Sequence, residues 1–133
     1  MAGPLPLLAV HNLQVGFKQQ QEIRPALKGI SFEVHRGEIV AIVGESGSGK
    51  SVSSLSILQL LPKQITKYQG GQILFSPNGQ ETADMLQLSE SALRRVRGKH
   101  ISMIFQEPMS ALNPVFTCGN QVMEAIRTHT PCS

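Results

Sequence analysis

Apolar and polar positions alternate twice in the first part of the chain. In "LQVGF" the residues Leu13, Val15 and Phe17 take every second place, and in "ISFEVH" Ile30, Phe32 and Val34 repeat the pattern, so each stretch predicts a strand with one buried face. The polar stretch between them, "KQQQEIRPALKG", contains Pro25 and is expected to be a loop. "RGE" at 36–38 predicts a turn. "IVAIV" at 39–43 is a continuous, mostly β-branched apolar run, which suits a strand buried on both faces and makes it the best candidate for a central parallel strand. Farther on, "SVSSLSILQLL" sets Val52, Leu55, Leu58 and Leu61 three apart, a helical stripe that Pro62 should stop.

The second half carries shorter signals. "GGQILFSPNGQ" at 70–80 reads as a strand ending in an Asn78-Gly79 turn. Ser89 is placed to cap a short basic helix running through Arg97, with Gly98 as its stop. "HISMIF" at 100–105 predicts another apolar strand, followed by "QEPMSALNP", whose prolines enforce a loop. "NQVMEAIRTH" predicts a helix with Val122, Ala125, Ile126 and His129 on one side. There is no internal repeat and no low-complexity segment.

Composition narrows the function classes. With 133 residues, 41% of them hydrophobic, the chain has about the size of one domain and enough apolar material for a core. A formal charge of +3 is mild, and the only dense basic run is "RRVRGKH" at 94–100, read as a solvated helix end, so no nucleic-acid partner is expected. Cys118 and Cys132 are too few for a disulfide framework and lack zinc-ligand spacing; His129 and Cys132 form an H-x-x-C with no second ligand pair. "MAGPLPLLAV" has no basic residue ahead of its short apolar run and is interrupted by prolines, unlike a signal peptide. No stretch approaches the roughly 18 to 20 apolar residues that span a bilayer. A cytosolic chain is expected, with any membrane link made through a partner.

The chemistry gathers in "GESGSGKS", which satisfies G-x-x-x-x-G-K-[ST] with Gly44, Gly49, Lys50 and Ser51. Glycines let the backbone turn with positive φ and point successive N–H groups inward at a helix N-terminus, which forms an anion nest. Lys50 is placed to reach the outer phosphates and Ser51 to hold Mg²⁺ through its hydroxyl. A chance match in a Gly/Ser linker is the alternative, but ordinary residue frequencies give such a match in only about 0.5% of chains this long. A linker also lacks the apolar run before the loop and the leucine-striped helix after it.

A phosphate loop alone leaves kinases, GTPases and DNA-repair ATPases open. "LQVGF", "LKGISFEVHRGEIVAIVGESGSGKS" and "MIFQEPMSALNPVFT" together resemble the ATP-binding subunits of ABC transporters, most closely the importers of dipeptides, oligopeptides, glutathione and nickel. The resemblance extends to about residue 129. It implies an α/β fold with a P-loop NTPase core, in which 1–38 form an N-terminal antiparallel β part, 39–110 the core from P-loop to Q-loop, and 111–133 the start of the helical subdomain. It implies that Phe17 stacks on the adenine of ATP and that Gly44, Glu45, Ser46, Gly47, Ser48, Gly49, Lys50, Ser51 and Val52 hold the nucleotide. Gln106 is implied as the Q-loop glutamine, which approaches Mg²⁺ and the attacking water. Phe17 as plain core and Gln106 as a simple loop residue remain the alternatives.

The same resemblance implies permease subunits of an ABC importer and a second ATP-binding subunit or domain as partners, at the inner face of the cell membrane. No LSGGQ-like signature, no strand ending in an aspartate followed by a glutamate, and no switch histidine follow Gln106. The expectation is therefore an incomplete ABC-type nucleotide-binding domain, inactive as an ATPase by itself, from a parent that couples ATP hydrolysis to uptake of a peptide-like solute. A non-catalytic nucleotide-binding or assembly module, and a soluble ABC ATPase of nucleic-acid metabolism, are the rival readings.

Overall fold

The alternation around Leu13 belongs to a longer strand, β1 (Leu8–Gln19), which lies inside a four-stranded sheet of order β2-β1-β3-β4. Its neighbours are β2 (Glu22–Val34) and β3 (Thr66–Phe75), both antiparallel to it, and β3 carries the short β4 (Ala83–Asp84) on its far side. The computed structural model describes residues 5–45, 47, 49–104 and 114–130, and the chain divides into two units, Met1–Leu88 and Ser89–Ser133. The expected N-terminal antiparallel β part is present in the first unit.

β1 does not run evenly. Between Val10 and Leu13 its register slips against β2, and between His11 and Gln14 it slips against β3, with Asn12 at φ 48. This bulge interrupts the alternation at Asn12: Ala9 and Val10 before it are both buried, as are Leu13 and Val15 after it. Together with Leu27, Leu58, Leu61, Ile73, Phe75 and Met85 they make the core of the first unit.

The loop expected across "KQQQEIRPALKG" is instead a tight hairpin. Only Gln20 and Gln21 separate β1 from β2, with Gln20 at φ 57, and the ladder pairs Gln19 with Glu22, Lys18 with Ile23 and Gly16 with Pro25. β2 tolerates Pro25 because it is an edge strand, where one missing donor breaks no second ladder.

The central parallel strand expected at 39–43 is not formed. The run has no regular structure and Ile39 and Val43 are 97% and 88% exposed. The strand expected at 100–105 is likewise missing from its described part: Ile101 makes an isolated bridge to Arg97, and Ile104 is 95% exposed. A strand buried on both faces exists only when neighbours on either side take up its N–H and C=O groups, and among the described residues these two runs have no such neighbour.

Helix α1 (Lys50–Ile57) stops earlier than Pro62. Gln59 takes a left-handed conformation at φ 50, its N–H bonds to Ser56 O at 3.1 Å, and Leu60 N–H bonds to Leu55 O at 2.9 Å. These two bonds are a Schellman cap, and they close the helix without help from the proline. The expected stripe is correspondingly altered. Within the helix Ser53 and Ser56 are the buried residues and Val52 and Leu55 are half-buried, whereas Leu58 and Leu61 are buried beyond its end.

Local signals in the rest of the chain hold. Asn78 Oδ1 accepts from the N–H groups of Gln80 at 2.9 Å and Glu81 at 3.0 Å, and Gly79 sits at φ 76, which builds the turn after β3. In the second unit α2 (Glu90–Val96) is capped by Ser89, whose hydroxyl accepts from Ala92 N–H at 3.3 Å, and Gly98 follows at φ 81. α3 (Cys118–His129) is capped by Thr117, with none of its residues buried.

Candidate nucleotide site

The path into the glycine loop begins at the end of β2. Glu38 folds back on His35, accepting from its N–H at 2.7 Å while the N–H of Glu38 bonds to His35 O at 3.1 Å. That backbone hydrogen bond holds the Glu38 carboxyl below the usual carboxylate range. Arg36 in the same turn donates to Leu5 O at 3.2 Å and to Ser76 O at 2.5 Å, which fixes the turn against the end of β3.

The loop itself closes through Lys50, whose Nζ donates to the carbonyl oxygen of Gly44. The first and seventh positions of the motif are thus brought together across the loop. Gly47 and Gly49 stand at φ 84 and φ 100, the left-handed region in which glycine alone carries little strain. Ser46 and Ser48 lie outside the described residues. Glu45 is exposed, Ser51 is exposed on the first turn of α1, and Val52 is half-buried.

Gly49 is also the N-cap of α1, and no side chain caps the helix there. The first bond into the helix is Ser53 N–H to Gly49 O at 2.9 Å, so the N–H groups of Lys50, Ser51 and Val52 have no acceptor within the helix. Orphan donors, the positive end of a helix and an ammonium group therefore gather at one point. That arrangement suits an anion with several oxygens, and the phosphates of ATP fit it. Ser51 adds an exposed hydroxyl of the type that ligates Mg²⁺.

Three serines shape the helix behind the loop. Ser53 Oγ donates to Gly49 O at 2.7 Å, Ser54 Oγ to Lys50 O at 3.3 Å and Ser56 Oγ to Val52 O at 2.7 Å. Each hydroxyl is satisfied on its own helix, which lets the small side chains of Ser53 and Ser56 be buried without an unpaired polar atom.

The hairpin meets this site at Leu27. A Cβ on Gly49 would stand 2.7 Å from Leu27 Cδ2 and 3.4 Å from Ala26 O, so the loop rests directly on β2. Leu27 pairs with Val15 in the ladder, and Phe17 lies two places farther along β1, half-buried and paired with Arg24 and Thr66. Phe17 thus stands on the strand next to the one that supports the loop. Gln106 lies outside the described residues.

Sequence reasoning missed the Gln20-Gln21 hairpin and hence the support from Leu27, whose only signal was a lone leucine in a polar stretch. The Arg36 contacts had no sequence signal, because both acceptors are backbone oxygens. Among the described residues no group of three His, Cys, Asp or Glu side chains is placed to hold a metal ion, and no helix is long and apolar enough to cross a membrane.

Comparison with known proteins matches residues 27–130 to the family described as ABC transporter. The chain is 48% identical over 123 residues to the probable peptide ABC transporter ATP-binding protein y4tR of Sinorhizobium fredii, covering 92% of this chain and 35% of that protein. It is 44% identical over 127 residues to the glutathione import ATP-binding protein GsiA of Escherichia coli K12, covering 96% of this chain and 20% of GsiA. It is 48% identical over 123 residues to the uncharacterized ABC transporter ATP-binding protein YejF of the same strain, covering 92% of this chain and 22% of YejF. The chain spans about a third of the length of the first relative and about a fifth of the other two.

Proposed function

This chain belongs to the ABC transporter family, and from that premise we propose that it is part of an ATP-binding subunit of an importer, coupling ATP hydrolysis to uptake of a peptide or peptide-like solute. The observation that carries the nucleotide reading is the junction at Gly49. There the uncapped start of α1 and the Lys50 ammonium converge on one loop. The solute class rests on the relatives, whose names specify a peptide transporter and glutathione import.

In this reading the backbone from Gly44 to Gly49 wraps the phosphates, with Glu45, Ser46, Gly47 and Ser48 contributing main-chain N–H groups. Lys50 exchanges the neutral Gly44 carbonyl for anionic phosphate oxygens, so a contact with one charged partner gives way to a stronger one with two. The N–H groups of Ser51 and Val52 take the oxygens nearest α1. Phe17 offers its ring to the adenine. Ser51 and Gln106 are the residues that would hold Mg²⁺, which when bound neutralises charge on the phosphate oxygens. Gln106 also orients the attacking water, so its loss slows hydrolysis more than it weakens binding. The subunit would work at the inner face of the cell membrane, docked on permease subunits and closed against a second ATP-binding subunit or domain.

Titration of the chain with a fluorescent ATP analogue tests the phosphate assignment. Lys50→Ala should weaken binding by about 1.5–3 kcal/mol, roughly 10- to 150-fold. Equal affinity in the two proteins would overturn it. Copurification of the full-length protein with an integral membrane permease tests the partner.

A further inference from the structure

The nucleotide reading leaves the basic run at 94–100 unused, and in the second unit that run takes on a definite shape. Arg94 and Arg95 stand in the last turn of α2, and Lys99 and His100 follow in the turn after Gly98. Thr128 and His129 come from the end of α3. These six residues line a cavity of about 420 Å³. Gly98 lets it close: at φ +81 it has no Cβ, and one placed there would stand 2.8 Å from His129 Nε2.

The charge inside the cavity is one-sided. Arg97, the remaining cation of the run, is paired with Glu90 at 2.8 Å and does not line it. Among the described residues no carboxylate pairs with Arg94, Arg95 or Lys99, and no carboxylate lines the wall. Cations in the last turn of a helix often do no more than offset its negative end, which amounts to about half an elementary charge. Two helix ends account for about one cation by that measure, yet three permanent positive charges share this concavity beside two imidazoles. Holding Arg94, Arg95 and Lys99 together with no counter-charge from the described residues costs energy that a bound anion would relieve.

We propose that this cavity binds an anion bearing phosphate with two or more negative charges. Arginine forks match phosphate oxygens in pairs, the Lys99 ammonium adds a point charge, and the Thr128 hydroxyl and the imidazoles supply further donors. The volume falls in the range of small-molecule sites, about 300–1,000 Å³, and exceeds what a single monatomic ion needs. A soluble phosphate compound and a phospholipid headgroup share this chemistry.

The test uses the full 133-residue chain carrying Lys50→Ala, which weakens anion binding at the glycine loop. Calorimetric titration with pyrophosphate should show one saturable event that weakens as salt rises. Adding Arg94→Gln and Arg95→Gln should reduce affinity at least about tenfold, whereas Lys28→Gln, an exposed lysine of the first unit, should leave it unchanged. Absence of saturable binding, or an equal loss from Lys28→Gln, overturns the proposal. Should the double arginine variant fail to fold, the histidine ring signals in the NMR spectrum of the Lys50→Ala chain decide: His100 and His129 must shift on adding pyrophosphate, and unshifted signals overturn the proposal. Flotation with phosphatidylcholine vesicles, with and without phosphatidic acid, then separates the sources. Pyrophosphate-sensitive binding to the acidic vesicles assigns the headgroup, and binding of pyrophosphate without vesicle binding assigns a soluble ligand.

Discussion

Gly49 and Leu27 touch so closely that a single added carbon on the first would stand 2.7 Å from Cδ2 of the second. The phosphate loop and the hairpin are therefore one mechanical piece. Gly49→Ala meets two penalties, the left-handed backbone at φ 100 and the collision with Leu27, and the backbone alone should cost about 1–3 kcal/mol. Leu27→Ala should cost about 2–5 kcal/mol through the lost core contact. The double variant should lose less than the sum, because a shortened Leu27 removes the collision. Urea unfolding of the three variants checks this, and strict additivity would mean that the contact carries no energy.

Phe17→Ala should weaken adenine nucleotides by about 1–3 kcal/mol while inorganic triphosphate binds as before, since stacking belongs to the base and not to the phosphates. Fluorescence competition with both ligands gives the answer. Equal losses would reduce Phe17 to a packing residue of β1.

Tyr68 on β3 has its phenol pushed above the ordinary value, first by burial and against a smaller opposing pull from a hydrogen bond with Ser56. The fold thus prefers the neutral phenol. The resulting stability is fully present below the unfolded value of about 10 and is lost as pH rises through the higher folded value. Tyr68 is the single tyrosine and there is no tryptophan, so phenolate absorbance reports this group alone. Tyr68→Phe should flatten the alkaline limb of the stability curve; an unchanged limb would assign that pH dependence elsewhere.

Ile39→Lys combined with Val43→Lys should change the unfolding free energy of the 133-residue chain by no more than about 0.5 kcal/mol, because both side chains are almost fully exposed. Binding of a hydrophobic dye should fall. A large loss of stability would show these residues to be packed after all.

What the sequence disclosed was what neighbours in the chain decide. Ser89 and Gly98 bracket α2, Asn78 and Gly79 make their turn, and the glycine–lysine spacing places Lys50 over Gly44, because caps, turns and loop closures act within a few residues. What depends on distant partners was harder to read. The run at 39–43 has the composition of a central strand, but among the described residues it has no flanking strands to make it one. Pro25 suggested a loop because a proline breaks an interior ladder, and nothing local says that β2 is at an edge. At Gln59 the left-handed turn that ends α1 used a residue with no preference for it, so Pro62 looked like the stop.

The bulge in β1 and the proline in β2 together decide how this sheet can meet another molecule. An edge strand with free N–H and C=O groups invites a second chain to add itself in register and so to start a fibril. β2 offers Pro25, which has no N–H, opposite a further slip of register between Val15 and Gly16, and the other edge, β4, is only two residues long. Because β4 covers only Leu74 and Phe75, the rest of that side is β3 itself, which is interrupted by Gly71 at φ 93, so neither side provides the flat, continuous row of donors that such templating needs. Self-association of this chain should therefore proceed through the side chains of the apolar run at 39–43 and leave the strand content seen by circular dichroism unchanged, rather than grow with the cross-β signature of stacked strands.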